Sequence, residues 1–239
     1  MSKKFAQWIT LLCLSLPGFS VHSQQTARSL NESVFTVDVK VSDLYGREET
    51  RKVVVSEFKP AGDGSFPVLI LNHGRGPNRN DPPRFRSTRQ VHFFIERGFA
   101  VFVPTRIGYG AEGTNFDPES SGACNNKQFD AEALAGSSEI LAVLDHARQL
   151  PAIDSTRVVL VGQSVGGFLS TATAARNPPG LLAAINFAGG GAGDPQRHPG
   201  IPCQGERMEK MFTRFGSSAK VPMLWIYTEN DQYFNPSYS

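Results

Sequence analysis

Arg157-Val158-Val159-Leu160-Val161, followed at once by Gly162-Gln163-Ser164-Val165-Gly166, decides how this chain folds. The apolar run after Arg157 has the length and β-branched character of a buried strand. A helix-forming stretch, Phe168 to Arg176, comes next and stops before Asn177-Pro178-Pro179-Gly180. Between the two, a Gly-x-Ser-x-Gly turn reverses the chain within a few residues. Its glycines let backbone pass where a side chain would clash. A strand, a sharp turn and a helix in this order lift a serine Oγ clear of the sheet, where it can act as a nucleophile. Ser164 is therefore the candidate reactive residue.

Working outward, Val68 to Leu71 and Phe99 to Val103 are also continuous apolar runs, as expected of central strands covered on both faces. The spacing predicts a helix from about Phe85 to Arg97 between them, closed by Gly98. A longer helix is expected from Phe129 to Leu150, with Phe129, Ala133, Ile140, Leu141, Leu144 and Ala147 on one face. Leu181 to Phe187 and Pro222 to Tyr227 supply two more buried strands. Upstream, Val34 to Val41 alternates apolar and polar, and Val53 to Phe58 adds a second strand, so these two read as an antiparallel pair. From Val68 onwards strand and helix alternate, which predicts a doubly wound, mainly parallel α/β sheet. Residues 189–220, rich in Gly and Pro and with a short helix near 205–215, read as an excursion over the site.

The first residues have a different character. Met1-Ser2-Lys3-Lys4 is a basic head, Phe5 to Leu16 is apolar, and Pro17-Gly18 breaks the run ahead of Val21-His22-Ser23. This pattern predicts a signal peptide cut after Ser23 and a secreted or periplasmic chain, with residues 24–239 forming one domain. Removing residues 1–23 takes away Lys3 and Lys4 and no acid. The 24 basic residues fall to 22 against 22 acidic ones, which gives no electrostatic case for nucleic acid or an anionic membrane as a partner. Of the three cysteines, Cys124 and Cys203 remain, and an oxidising compartment would permit them to pair.

Four spaced motifs now stand in order: Asn72-His73-Gly74-Arg75-Gly76 after a strand, Pro104-Thr105-Arg106-Ile107-Gly108-Tyr109-Gly110, the serine turn ending in Gly167, and Leu224-Trp225-Ile226-Tyr227 leading to Glu229-Asn230-Asp231. Together they resemble the α/β-hydrolase superfamily over about residues 34 to 239, closest to its dienelactone-hydrolase-like and prolyl-oligopeptidase-like branches. One departure is informative. Dienelactone hydrolases carry cysteine at the turn, and the serine here favours ester chemistry.

The resemblance implies acyl transfer through an acyl-enzyme on a small ester-like substrate, with no cofactor and no metal. It implies backbone N–H donors from Val165 and Arg75 facing the developing oxyanion. His73 is then a structural residue of its loop. Asp231, at the C-terminal end of a strand, is the candidate acid, with Asp194 as rival; a turn-capping role for Asp231 is the competing reading. Glu112, Glu119, Arg106 and Tyr109 border the expected pocket without a catalytic role.

The superfamily's order is serine, acid, histidine, and no histidine follows Asp231. Among five histidines, His198 alone follows Ser164, four residues past Asp194, where an unusual dyad is conceivable. The plainer expectation is a chain that lacks the last strand, the last helix and the histidine loop, and that is impaired or inactive as it stands. Two other readings stay open: a non-catalytic binding protein of the same fold, and a peptidase.

Overall fold

Strand β5 (Ile153–Gln163) lies in the middle of a seven-stranded sheet and carries the serine turn at its C-terminal end. The structure is a computed structural model and describes residues 30–111, 113 and 116–238. The expected signal peptide, its cleavage after Ser23, and Glu112 lie outside the described residues. The remaining strands are β1 (Asn31–Ser42), β2 (Glu48–Lys59), β3 (Phe66–Asn72), β4 (Ala100–Thr105), β6 (Leu181–Phe187) and β7 (Met223–Ile226). Their order across the sheet is β1-β2-β4-β3-β5-β6-β7. Strand β2 pairs antiparallel with both β1 and β4, and every pairing from β4 to β7 is parallel. The expected α/β architecture with an antiparallel N-terminal pair is the one observed.

Among the described residues four α-helices cover the sheet unequally. Helices α2 (Phe129–Ala147), α3 (Val165–Ala175) and α4 (Gly205–Ser218) join the larger core cluster, with Ile70, Phe102, Leu160 and Phe168 wholly buried. Helix α1 (Thr88–Ile95) covers the other face over Phe58, Leu69, Val101 and Val161. The chain leaves β3 for β4 on one side and returns to β5 on the other. That reversal opens a crevice at the C-terminal ends of β3 and β5, the place where open α/β sheets collect ligands.

Several expected boundaries shift, each for a local reason. Helix α1 starts at Thr88 instead of Phe85, because the Phe85 N–H donates to Thr105 Oγ1 at 2.9 Å and its ring stacks on His73. Helix α2 stops at Ala147, and Gln149 and Leu150 tighten into three-residue turns on His146 and Ala147. Helix α3 begins at Val165, directly after the serine, and not at Phe168. The expected buried strand at 222–227 is corrected to a short edge strand. Leu224 is 54% exposed and Ile226 39%, because among the described residues no helix packs on that face.

Cys124 and Cys203 are disulfide-bonded, with Cα atoms 5.0 Å apart. The bond joins the loop before α2 to the excursion before α4. Gln204 strengthens the same junction, accepting the Lys127 N–H at 2.9 Å and donating to the Asn125 carbonyl at 2.7 Å.

Candidate active site

Ser164 occupies the joint between β5 and α3 with φ 55° and ψ −128°, a conformation that side-chain-bearing residues adopt rarely. Hydrogen bonds from three directions hold it there. Its N–H donates to the Phe187 carbonyl at 3.0 Å, and its carbonyl accepts from Phe168 at 3.1 Å and Gly190 at 3.2 Å. A Cβ on Gly162 would run into the Gly166 carbonyl, and one on Gly166 would run into the carbonyls of Asn72 and His73. Both positions therefore require glycine, and the sequence motif has its steric explanation.

The loop after β3 packs against the turn. A Cβ on Gly74 would lie 3.0 Å from Ser164 Cβ, so the Gly74–Arg75 backbone borders the serine. The Arg75 side chain turns away, paired with Asp117 and donating to the Glu119 carbonyl at 3.1 Å. Val165 opens α3, where first-turn N–H groups have no acceptor within the helix. The positive end of the helix dipole adds to the field at that point.

His73 lies in the same wall with both ring nitrogens engaged. Nδ1 is 2.7 Å from the Gly74 carbonyl, and Nε2 lies 3.3 Å from the Arg106 N–H. A carbonyl can only accept and an N–H can only donate, so the tautomer carries its proton on Nδ1. Burial, reinforced by the Arg106 guanidinium, holds the His73 pKa well below its usual value, and the ring is neutral. Phe85 stacks on one face with ring centroids 3.6 Å apart. Beneath it Arg106 and Glu119 pair with no exposure of either side chain, Arg106 Nη1 donates to the His73 carbonyl at 2.8 Å, and Tyr109 Oη donates to Glu119 at 3.0 Å. Burial raises the Tyr109 pKa further above its ordinary value, so the phenol stays a donor.

Two cavities meet at Ser164. The larger, about 960 Å³, is largely apolar and is walled by Phe85, Phe93, Phe94 and Phe187, with Asp231 at its rim. The smaller, about 550 Å³, is polar, with Arg75, Glu119, Lys127, Glu132 and Gln196 in its walls. Asp231 thus shares a cavity with Ser164, but its Oδ1 also accepts the N–H groups of Tyr233 and Phe234 at 2.8 and 2.9 Å. Asp194 and His198 are not brought to the serine. Asp194 Oδ1 accepts the Arg197 N–H at 3.1 Å, and His198 is exposed and lines neither cavity. Among the described residues no group of three or more His, Cys, Asp or Glu is placed to hold a metal ion.

Sequence reasoning missed Glu132. An acid in the first turn of a helix is ordinary, since it complements the helix dipole, and its burial comes only from the loops folded over it. It also missed Tyr233 and Phe234, which border both cavities and follow the final strand as a loop of no recognisable pattern.

A seven-stranded α/β sheet with a strained serine at its crevice defines a class of hydrolytic folds. The model of the Alpha/beta hydrolase family matches residues 68–236, and the chain belongs to that family. A curated relative, the 2-hydroxy-6-oxononadienedioate/2-hydroxy-6-oxononatrienedioate hydrolase of Paraburkholderia xenovorans (strain LB400), is 26% identical over 151 residues, which is 63% of this chain and 45% of that protein. The chain therefore spans under half the length of that relative. Acylaminoacyl peptidase from Pyrococcus horikoshii is a structural match with a TM-score of 0.56 and 15% identity, over 87% of this chain and 34% of that one. Acetyl xylan esterase 1 from Thermoanaerobacterium sp. JW/SL YS485 matches with a TM-score of 0.55 and 18% identity, over 87% and 76% of the two chains. At these identities the structural likeness is one of fold.

Proposed function

We propose that this protein is a serine hydrolase of carboxylic ester-like substrates, working through an acyl-enzyme on Ser164. The observation that carries this reading is the backbone of Ser164, held at φ 55° between a buried strand and a helix N-terminus and opening on two cavities. Ser164 Oγ attacks the ester carbonyl, and the Val165 and Arg75 N–H groups receive the oxyanion. The serine proton leaves with the alcohol, and water then adds to the acyl-enzyme and returns a carboxylic acid and the free hydroxyl. Asp231, which shares the larger cavity with Ser164, is the acid of this site. An exported chain is part of the proposal, supported by the Cys124–Cys203 disulfide, which suits an oxidising compartment.

A second reading has one observation in its favour. Among the described residues His73 is the one histidine lining either cavity with Ser164, and neither of its ring nitrogens is free to take the serine proton. Without a base the hydroxyl keeps an alcohol-like pKa and attacks slowly. The chain then turns over weakly, or binds esters without hydrolysing them. Prolonged exposure to a fluorophosphonate followed by mass spectrometry separates the two. An adduct on Ser164 that disappears in Ser164→Ala supports the hydrolase; no adduct, with ester binding intact, favours the binding protein.

A further inference from the structure

The polar cavity beside Ser164 holds one group that the fold itself does not explain. Glu132 is 2% exposed; Ser121 hydrogen-bonds its carboxyl, yet Oε2 has no hydrogen-bond partner among the described residues. Helix α2 has no need of it as an N-terminal acid, because exposed Asp130 stands in the same turn and pairs with Arg214. The other charges around the cavity are already engaged. Glu119 is held by Arg106 and Tyr109, Arg75 by Asp117, and Lys127 Nζ by the Gly122 carbonyl at 2.5 Å. A buried polar atom left open carries a desolvation cost that a ligand's hydrogen-bonding group would relieve.

We propose that Glu132 is a specificity residue, exchanging hydrogen bonds with a neutral, hydroxylated portion of the ester while the apolar portion occupies the larger cavity. This rests on the reading of Ser164 as the reacting residue, since both cavities open on it. The surroundings select the ligand class. Arg75 and Lys127 disfavour an ammonium group, and the Glu119 carboxylate disfavours a second carboxylate. A hydroxyl remains. Burial, reinforced by the Glu119 charge, pushes the Glu132 carboxyl up to about 8 and leaves it neutral at pH 7. A neutral carboxyl offers one donor and one acceptor, the pair a hydroxyl matches. Access is controlled by Gly191, where a Cβ would lie 3.2 Å from Glu132 Oε2.

The test is calorimetric binding to the full chain carrying Ser164→Ala, so that turnover plays no part. The probes are 1-butyrylglycerol and ethyl butyrate, which share an acyl group and differ in hydroxyls. The expected result is a preference of about three- to tenfold for the glycerol ester, the value of one or two neutral hydrogen bonds. Glu132→Leu removes the preference, and Glu132→Gln, which keeps a donor and an acceptor, retains it. Gly191→Ala covers the carboxyl without altering it, removes the preference as well, and serves if Glu132→Leu fails to fold. Equal binding of both esters by the parent chain, or a preference that survives both Glu132→Leu and Gly191→Ala, overturns the inference and leaves the Ser164 reading standing. Binding of neither ester overturns both.

Discussion

Arg106 and Glu119 form an ion pair with no solvent exposure on either side, directly under the loop that borders Ser164. Arg106 also donates to the His73 carbonyl, so the pair fixes the height of the His73–Arg75 backbone against the serine. Removing one partner leaves a buried charge uncompensated. Glu119→Ala is expected to cost about 3–5 kcal/mol in urea unfolding. The double replacement Arg106→Met with Glu119→Leu should cost less than the single one, because no lone charge remains. A single variant within 1 kcal/mol of the parent, at the precision of the extrapolation, would contradict the structural role.

At the turn, glycine substitutions should split by position. Gly162→Ala and Gly166→Ala each drive a methyl group into backbone carbonyls that cannot yield, and a loss of about 3 kcal/mol or more is expected. Gly216→Ala, in an exposed turn of α4 with nothing within 4 Å of the new methyl, should instead gain up to about 1 kcal/mol. Thermal melts of the three variants check the opposite signs.

The Cys124–Cys203 bond closes a loop with a sequence separation of 79. Replacing both cysteines with alanine should destabilise the fold by about 2–5 kcal/mol. Limited proteolysis should then cut first in residues 116–128 and 189–204, the two loops the bond holds together. Unchanged cleavage sites and an unchanged urea midpoint would show that the bond restrains neither loop.

Glu132 predicts a pH dependence of stability. Its folded-state pKa, about 8, stands above the ordinary carboxyl value of 4.5, raised first by burial and then by Glu119. The folded state therefore binds the proton more tightly, and its advantage is full below pH 4.5. That advantage is lost progressively as pH rises to about 8. Glu132→Gln removes the titrating group, so the variant should gain on the parent by a few kcal/mol between pH 5 and pH 8. Parallel urea midpoints for the two proteins across that range would refute the assignment.

The chain's local patterns determined the fold class and the serine turn. Short continuous apolar runs alternating with helical stretches read as strands of a parallel sheet, and the glycines of residues 162–166 have one steric use, so the parallel sheet and the joint at Ser164 were legible in order. The antiparallel pair at 31–59 was equally plain from its alternation. What tertiary structure decided were the contacts made between distant segments. Phe85 left its expected helix because Thr105, on the neighbouring strand β4, accepts its N–H while its ring stacks on His73. Residues 223–226 became an exposed edge strand, though their apolar character promised burial, because apolarity does not report which neighbour covers a face. Cys124 and Cys203 were known to be able to pair, and only the approach of two loops brought their Cα atoms within 5.0 Å. Asp231 reached the cavity of Ser164 while also capping its own turn, whereas Asp194 and His198 remained apart from it. Glu132 carried no signal in the sequence, since its burial arises only when the loop 119–127 just before it and distant residues such as Arg75 and Gly191 close around it in the folded chain.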